Sequence, residues 1–468
     1  MPEFTTAPGP SGLPILGSVF PAWRDPLRLF LESQATYGDV VRFKFGPYDY
    51  YLINDPEVVR HVLVDNAKAY TKSRNYLGLK MVLGDGLLTS EGEAWRQQRR
   101  LAQPGFHRDK LAGFAKQMAT ATRAMLERWN EEGDGAFDVH EDMMRLTFRI
   151  VGLTLFSSDV DGDAKDVGEA VEVAMHWAND YAESILRIPP FVPTPANVRF
   201  KRAMKTLDDV VFRLIADHRA TPKPDLLGML IDARDEATNQ GMTDRQLRDE
   251  VITMVLAGHE TTANLLSWAF VLLSRHPEIA RRVQAEAQRV LGDRDATLDD
   301  VKQLDLTRRV LDETLRLYPP AWAFERQSLT PDVLGAYRIE KGSIVGICPY
   351  ALHRHPAYWE NPEGFDPDRF LPDAAERPKW AYLPFGGGPR TCIGNHFALM
   401  EAQLVLAMIV RDYAIALDPF APPVLDPVIT LRPKHGVRAS RTRRAAATTA
   451  TSGCPARRTP IESPVAPS

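Results

Sequence analysis

The stretch Phe385-Gly386-Gly387-Gly388-Pro389-Arg390-Thr391-Cys392-Ile393-Gly394 decides how this chain is read. Three glycines in a row suit neither helix nor strand, so residues 386–388 are expected to form a loop whose backbone can approach another group closely. An apolar helix is expected to follow, from Asn395 to about Tyr413. The free N–H groups and positive end of that helix should lower the Cys392 pKa and stabilise a thiolate. Such a thiolate is a nucleophile or a metal ligand; the plainer alternative is a buried structural cysteine. Pro389 stiffens the loop, and Arg390 sets a fixed cation beside it.

Four further patterns lie upstream, in a fixed order. Phe365-Asp366-Pro367-Asp368-Arg369-Phe370 precedes the glycine loop. Before it, a helix expected over Thr307 to Tyr318 stops at Pro319-Pro320 and carries Glu313 and Arg316 on one face. A long helix begins at Thr243, where Thr243 and Gln246 form a capping-box pattern. It need not stop before His276-Pro277, about 33 residues or roughly 50 Å further on. In its middle lies Ala257-Gly258-His259-Glu260-Thr261-Thr262, where a glycine costs about 1 kcal/mol against Ala. This is either a tolerated kink or a groove in which Glu260 and Thr261 supply a proton-donor pair. Trp95 and Arg99 share a helix face further upstream.

The glycine-loop stretch resembles the haem-binding loop FxxGxRxCxG of the cytochrome P-450 (haem-thiolate) family, matched at Phe385, Gly388, Arg390, Cys392 and Gly394. The other patterns resemble that family's WxxxR, AGx[DE]T[TS], ExxR and FxPxRF signatures. The resemblance covers roughly residues 7 to 436. It implies a mainly α, cytochrome P-450 fold: a helical prism with a small β-rich N-terminal region, holding haem b (iron protoporphyrin IX). By the same resemblance Cys392 ligates the iron, Phe385 packs near the sulfur, and Trp95, Arg99, Arg326 and Arg390 hold the haem propionates, beside Gly394. Thr261 would stabilise iron-bound dioxygen, Glu260 would relay protons, and Glu313, Arg316 and Arg369 would form a structural charge cluster. The implied activity is a monooxygenase that hydroxylates a hydrophobic small molecule (fatty acid, terpenoid, steroid or drug-like). Its two electrons would come from a separate ferredoxin and reductase, or a flavodoxin. A peroxide-driven peroxygenase and a non-catalytic sensor are the alternatives, and the intact Glu260–Thr261 pair argues against both.

Composition narrows the setting. With 468 residues, 44% apolar and 25% charged, the chain can bury a large core, and a net charge of -4 leaves no footprint for nucleic acid. Three cysteines are too few for a disulfide framework and suit a reducing compartment, so a cytoplasmic monomer is expected. No apolar run reaches a membrane span, and no anchor or secretory signal is read. Residues 1–20 are expected to form a proline-rich arm, 21–438 the catalytic domain, and 439–468 a disordered tail. A helix over Pro26 to Tyr37 should precede strands Val40 to Phe45 and Tyr50 to Asn54. The pocket candidates are Leu77, Met81, Val82, Leu87, Leu88, Ala257, Ala321, Trp322, Ala323 and Phe324. The first five sit in a stretch, Thr71 to Gly92, expected to be irregular. Met175 to Phe191 fits either a lid over the substrate channel or ordinary core packing. A carboxylate-binding arginine in the pocket would favour fatty acids; Arg42, Lys44 and Arg74 suit that role and suit equally well that of surface charges.

Overall fold

The computed structural model describes residues 6–159, 162, 164–184, 187–234 and 239–445. Its axis is the helix Asp244–Arg275, 32 residues capped by Thr243. Both arms of the expected capping box are made, Gln246 N–H to Thr243 Oγ1 at 3.3 Å and Thr243 N–H to Gln246 Oε1 at 2.9 Å. From Leu265 to Leu273 every side chain is buried, so this half is wrapped by other helices. They include Val139–Leu155, Pro195–Ala220, Asp305–Leu317 and Asn395–Asp412. Together they enclose one continuous apolar core.

The N-terminal hairpin forms as the alternation of its residues demands. Strand Val40–Phe45 pairs antiparallel with Tyr48–Ile53, the second strand starting two residues earlier than expected. Val40, Tyr51 and Ile53 enter one small core, and Val41, Phe43 and Leu52 enter another on the opposite face. Successive side chains point to opposite faces, so a sheet buried on both sides needs apolar residues at nearly every position. Ile344–Ile347 joins Tyr48–Ile53 in parallel, Phe324–Ser328 follows, and Tyr70–Thr71 closes the five-stranded sheet. The proline-rich arm covers the far edge: Arg42 N–H donates to Pro8 at 2.8 Å, and Ser18 N–H to Lys44 at 2.7 Å. An edge covered in this way cannot recruit another strand. Residues 19–20 already belong to the helix Val19–Arg24.

Three expectations are corrected. The stretch from Thr71 to Gly92 is not irregular throughout, because Tyr76–Leu83 is a helix closed by Gly84 at φ +62°. The tail does not lose structure at residue 439: Arg438–Arg443 is the central strand of a three-stranded sheet between Gly135–Asp138 and Tyr413–Leu417. Tyr413 opens that last strand instead of closing the helix before it. The remainder of the tail, from residue 446, lies outside the described residues. In the stretch expected as lid or core, Met175 and Trp177 are buried. Trp177 stacks on Phe200 at 3.9 Å and donates to Asn197 at 2.8 Å, so that end is core packing. Ile185 lies outside the described residues.

Candidate active site

The glycine loop is shaped by its neighbours. Gly388 takes φ +69°, and a Cβ there would run into the Leu63 carbonyl. Cys392 N–H donates to the Phe385 carbonyl at 3.0 Å and closes the loop. Gly394, just before the helix Asn395–Asp412, has an ordinary φ of -93°, and a Cβ there would meet only Phe106, at 3.7 Å. Nothing in the chain itself therefore demands a glycine at 394.

Cys392 presents open surface, yet protein surrounds it closely enough that burial raises its pKa above the ordinary thiol value. The N–H of Gly394 and the charge of Arg99 pull the other way and do not win. This corrects the expectation of a lowered pKa: removal from water outweighs the helix terminus and the Arg99 charge together. The thiol lies on the floor of a hollow.

Cations gather beside it. Arg99 Nη1 donates to the Thr391 carbonyl at 2.8 Å, which ties the Trp95 helix to the loop. Arg390 lies over the Trp95 ring at 4.2 Å, donates to Ser90 at 2.7 Å and pairs with Glu91 at 2.8 Å. Arg326 donates to the carbonyl of Glu325 at 2.8 Å and bonds to Tyr76. Lys72, absent from the sequence reading, sits over the Tyr76 ring at 4.3 Å. Burial, together with Arg326 and Arg390, holds its pKa well below the usual lysine value. Burial likewise lowers Arg99 and Arg390. Among the described residues Glu91 is the only carboxylate ion-paired to these four cations. So crowded a set of positive groups is completed by anions from outside the chain.

On the long helix Ala257 is exposed and Thr261 half-exposed, one turn apart on one face of an otherwise buried segment. The helical ladder runs through them unbroken. Thr261 Oγ1 donates to the Ala257 carbonyl at 2.7 Å, a back-bond that keeps the hydroxyl on the helix. Glu260 points elsewhere: it is buried and accepts from Thr430 Oγ1 at 2.6 Å, while its Oε2 has no partner. Burial raises its pKa above the usual carboxylate value. His259, also buried, is held neutral by burial, its pKa near 4.

The pocket candidates divide. Leu77, Met81 and Leu88 are 42%, 44% and 40% exposed, and Ala321 is exposed. Leu87 is buried and packs in the helical core. Ala323 and Phe324 are half-buried against the sheet cores. Val82, at 0% exposure, packs wholly inside the helical core and leaves the pocket set. So does Trp322, whose indole donates to Val428 at 2.8 Å and lies against Phe30. Two acids of the long helix pin the segment between Leu83 and Leu88. Asp249 accepts from Asp85 N–H at 2.9 Å and Glu250 from Leu87 N–H at 3.1 Å.

Burial raises the Glu250 pKa to about 7. The folded chain thus prefers Glu250 protonated, and stability falls as pH rises from the unfolded value through about 7. Glu250→Gln keeps the acceptor for Leu87 and removes the titration. Urea midpoints at pH 5 and pH 8 should differ less in the variant than in the parent, by up to about 3 kcal/mol. An unchanged difference would show that Glu250 does not titrate in this range.

Behind the site Glu313 and Arg316 form a two-pronged pair, both contacts 2.7 Å and both side chains at 0% exposure. Arg369 reaches the same carboxylate at 3.3 Å. Arg316 also donates to the carbonyls of His353, Pro362 and Gly364. The three charges sit together, the arrangement that the resemblance implied.

Haem b fits these residues on two counts. Among the described residues no three His, Cys, Asp or Glu side chains gather to hold a metal ion, so a metal at Cys392 draws its other ligands from a cofactor. The under-neutralised cations suit the two carboxylates of such a group.

Known proteins agree. The family model described as Cytochrome P450 matches residues 7–436, and the chain belongs to that family. It is 40% identical to cyclooctatin synthase of Streptomyces melanosporofaciens, over 86% of this chain and 88% of the relative. Pentalenene oxygenase of Streptomyces avermitilis is 34% identical, over 89% and 93%. The crystal structure of the cytochrome P450DA heme domain superposes with a TM-score of 0.84 at 29% identity, covering 94% of this chain and 98% of that one. The protein is a haem b monooxygenase.

Proposed function

We propose that the enzyme hydroxylates a hydrophobic small molecule of terpenoid type, using dioxygen and two electrons from a separate ferredoxin or flavodoxin. The observation that carries this reading is the set of large apolar side chains left open beside the site, Leu77, Met81 and Leu88. A folded chain keeps such residues accessible at a cost unless an apolar partner covers them. Relatives named for cyclooctatin, cyclooctat-9-en-7-ol and pentalenene support the terpenoid class. The free thiols Cys348 and Cys392 suit a reducing, cytoplasmic setting. No helix among the described residues is long and apolar enough to cross a membrane.

Bound haem supplies the oxygen chemistry. In this reading Cys392 would hold the iron through its sulfur, while Lys72, Trp95, Arg99, Arg326 and Arg390 would hold the carboxylates of the group. Thr261 keeps a half-exposed hydroxyl on the open face of the helix, and the neighbouring Glu260, its pKa raised by burial, is the candidate proton carrier. The decisive experiment has two parts. Reduction with dithionite and addition of carbon monoxide should give the red-shifted Soret band of thiolate-ligated ferrous haem. Terpenoids should then shift the haem spin state; a shift by a polar library but not by an apolar one would sink the substrate reading.

Thr261→Ala tests the proton path. Proton transfer by a positioned group is worth roughly 10²–10⁴-fold, and water replaces part of it, so product formed per NADPH should drop about tenfold. The missing electrons should appear as hydrogen peroxide. Unchanged product yield would remove Thr261 from the reaction.

A further inference from the structure

We propose that Arg74 and Arg187 form an anion site at the rim of the substrate hollow, which takes the carboxylate of an otherwise apolar substrate. The proposal rests on the monooxygenase reading above and sharpens its substrate class. Two of the basic residues singled out in the sequence drop out first. Arg42 and Lys44 both pair with Asp49, at 2.7 Å and 2.9 Å, so their charges are already answered.

Arg74 is different. Its guanidinium lies over the Tyr48 ring at 4.1 Å, and it makes no ion pair among the described residues. Burial, and then the positive charge of Arg187, hold its pKa below the usual arginine value, which places the two cations within each other's field. Arg187 also lacks an acidic partner among the described residues. It donates to the Ala182 carbonyl at 2.9 Å and to Asn75 Oδ1 at 3.4 Å, and it lies 5.8 Å from the Tyr181 ring. Its other terminal nitrogen, Nη1, is buried with no partner at all. A buried charged donor left unmade is unfavourable, and one ligand oxygen there would satisfy it. Two half-buried guanidiniums, one on the residue before Asn75 and one bonded to Asn75, offer the forked donors that a carboxylate accepts best.

Asn75 places this pair at the pocket. It precedes the helix Tyr76–Leu83, which carries Leu77 and Met81. Its Nδ2 donates to Glu325 at 2.9 Å, next to Phe324. Glu325 is no counter-ion for the arginines. It is occupied by Ser73 and Asn75, and burial raises its pKa. The apolar wall and the unpaired cations thus share one helix start, an arrangement that suits a molecule with an apolar body and one anionic end.

The test uses the haem-loaded enzyme and two matched pairs: palmitic acid with methyl palmitate, and abietic acid with methyl abietate. Dissociation constants come from the Soret shift. In at least one pair the acid should bind about tenfold tighter than its ester, as a charge-assisted hydrogen bond predicts. R74Q/R187Q should erase that preference while leaving the ester's affinity unchanged, which also shows that the variant folds. R74Q alone, at a half-exposed position, should weaken the preference, and R187K should retain part of it. Which pair shows the preference tells a fatty acid from a terpenoid acid. Equal binding of acid and ester in both pairs, failure of both acids to bind, or a preference that survives in R74Q/R187Q would overturn the anion site. A normal ferrous carbonyl spectrum beside such a result leaves the monooxygenase reading standing; loss of that spectrum in the parent enzyme would count against that reading instead.

Discussion

Cys392→Ser is expected to reduce turnover to the uncatalysed background and to remove the red-shifted carbonyl band, while the chain still folds. The expectation has two halves, and the structure argues each. The side chain is open to the hollow and fills no core position. The loop is closed through backbone, Cys392 N–H to Phe385 O, which serine keeps. A serine oxygen can also accept the Gly394 N–H that now faces the sulfur. What is lost is the soft, ionisable sulfur, and an alcohol does not replace it as a ligand at neutral pH. Circular dichroism and the carbonyl spectrum, measured on one preparation, separate the halves. A helical signal that collapses with the spectrum would mean that the sulfur is needed for folding as well.

Glu313→Gln should be the most destabilising single exchange in the chain, at about 3 to 5 kcal/mol, because it leaves Arg316 buried without its counter-charge. Loss on that scale takes a large share of the roughly 5–15 kcal/mol that hold an ordinary domain together. Arg316→Lys should be nearly as harmful. The lysine stem cannot supply the fork that meets Glu313 with two prongs and three backbone carbonyls with the remaining donors. The double exchange Glu313→Leu with Arg316→Met should recover only part of the loss, since the carbonyls of His353, Pro362 and Gly364 remain unpaired. Urea midpoints of the parent, Glu313→Leu, Arg316→Met and the double exchange give the cycle. A fully additive result would show that the pair is not coupled.

Much of this was legible in the chain, and the reason is local. A capping box, an i,i+3 charge pair and a glycine run each declare themselves within a few residues. The helix from Asp244, the Glu313–Arg316 pair and the loop before Cys392 therefore appear where the sequence puts them. What escaped depends on partners far away in sequence. Lys72 and Tyr76 join the cations beside Cys392 only because a short helix folds against a strand some 250 residues later. Thr430 meets Glu260 across 170 residues, and nothing in either neighbourhood announces it. Strand Arg438–Arg443 reads as a polar tail because its stability comes from pairing on both sides and not from its composition. The pKa of Cys392 moved against expectation for a related reason: the helix start is visible in sequence, whereas the depth of the hollow is a property of the whole fold.

Gly78 adds a mechanical consequence. A side chain there would strike the Ala178 carbonyl, so the backbone of Tyr76–Leu83 rests directly on that of the helix Ala164–Glu183. Two helices in backbone contact have no cushion of side chains between them, and neither can tilt alone without parting the contact. The wall that bears Leu77 and Met81 is therefore yoked to the helix Ala164–Glu183, and the two shift as one body or not at all.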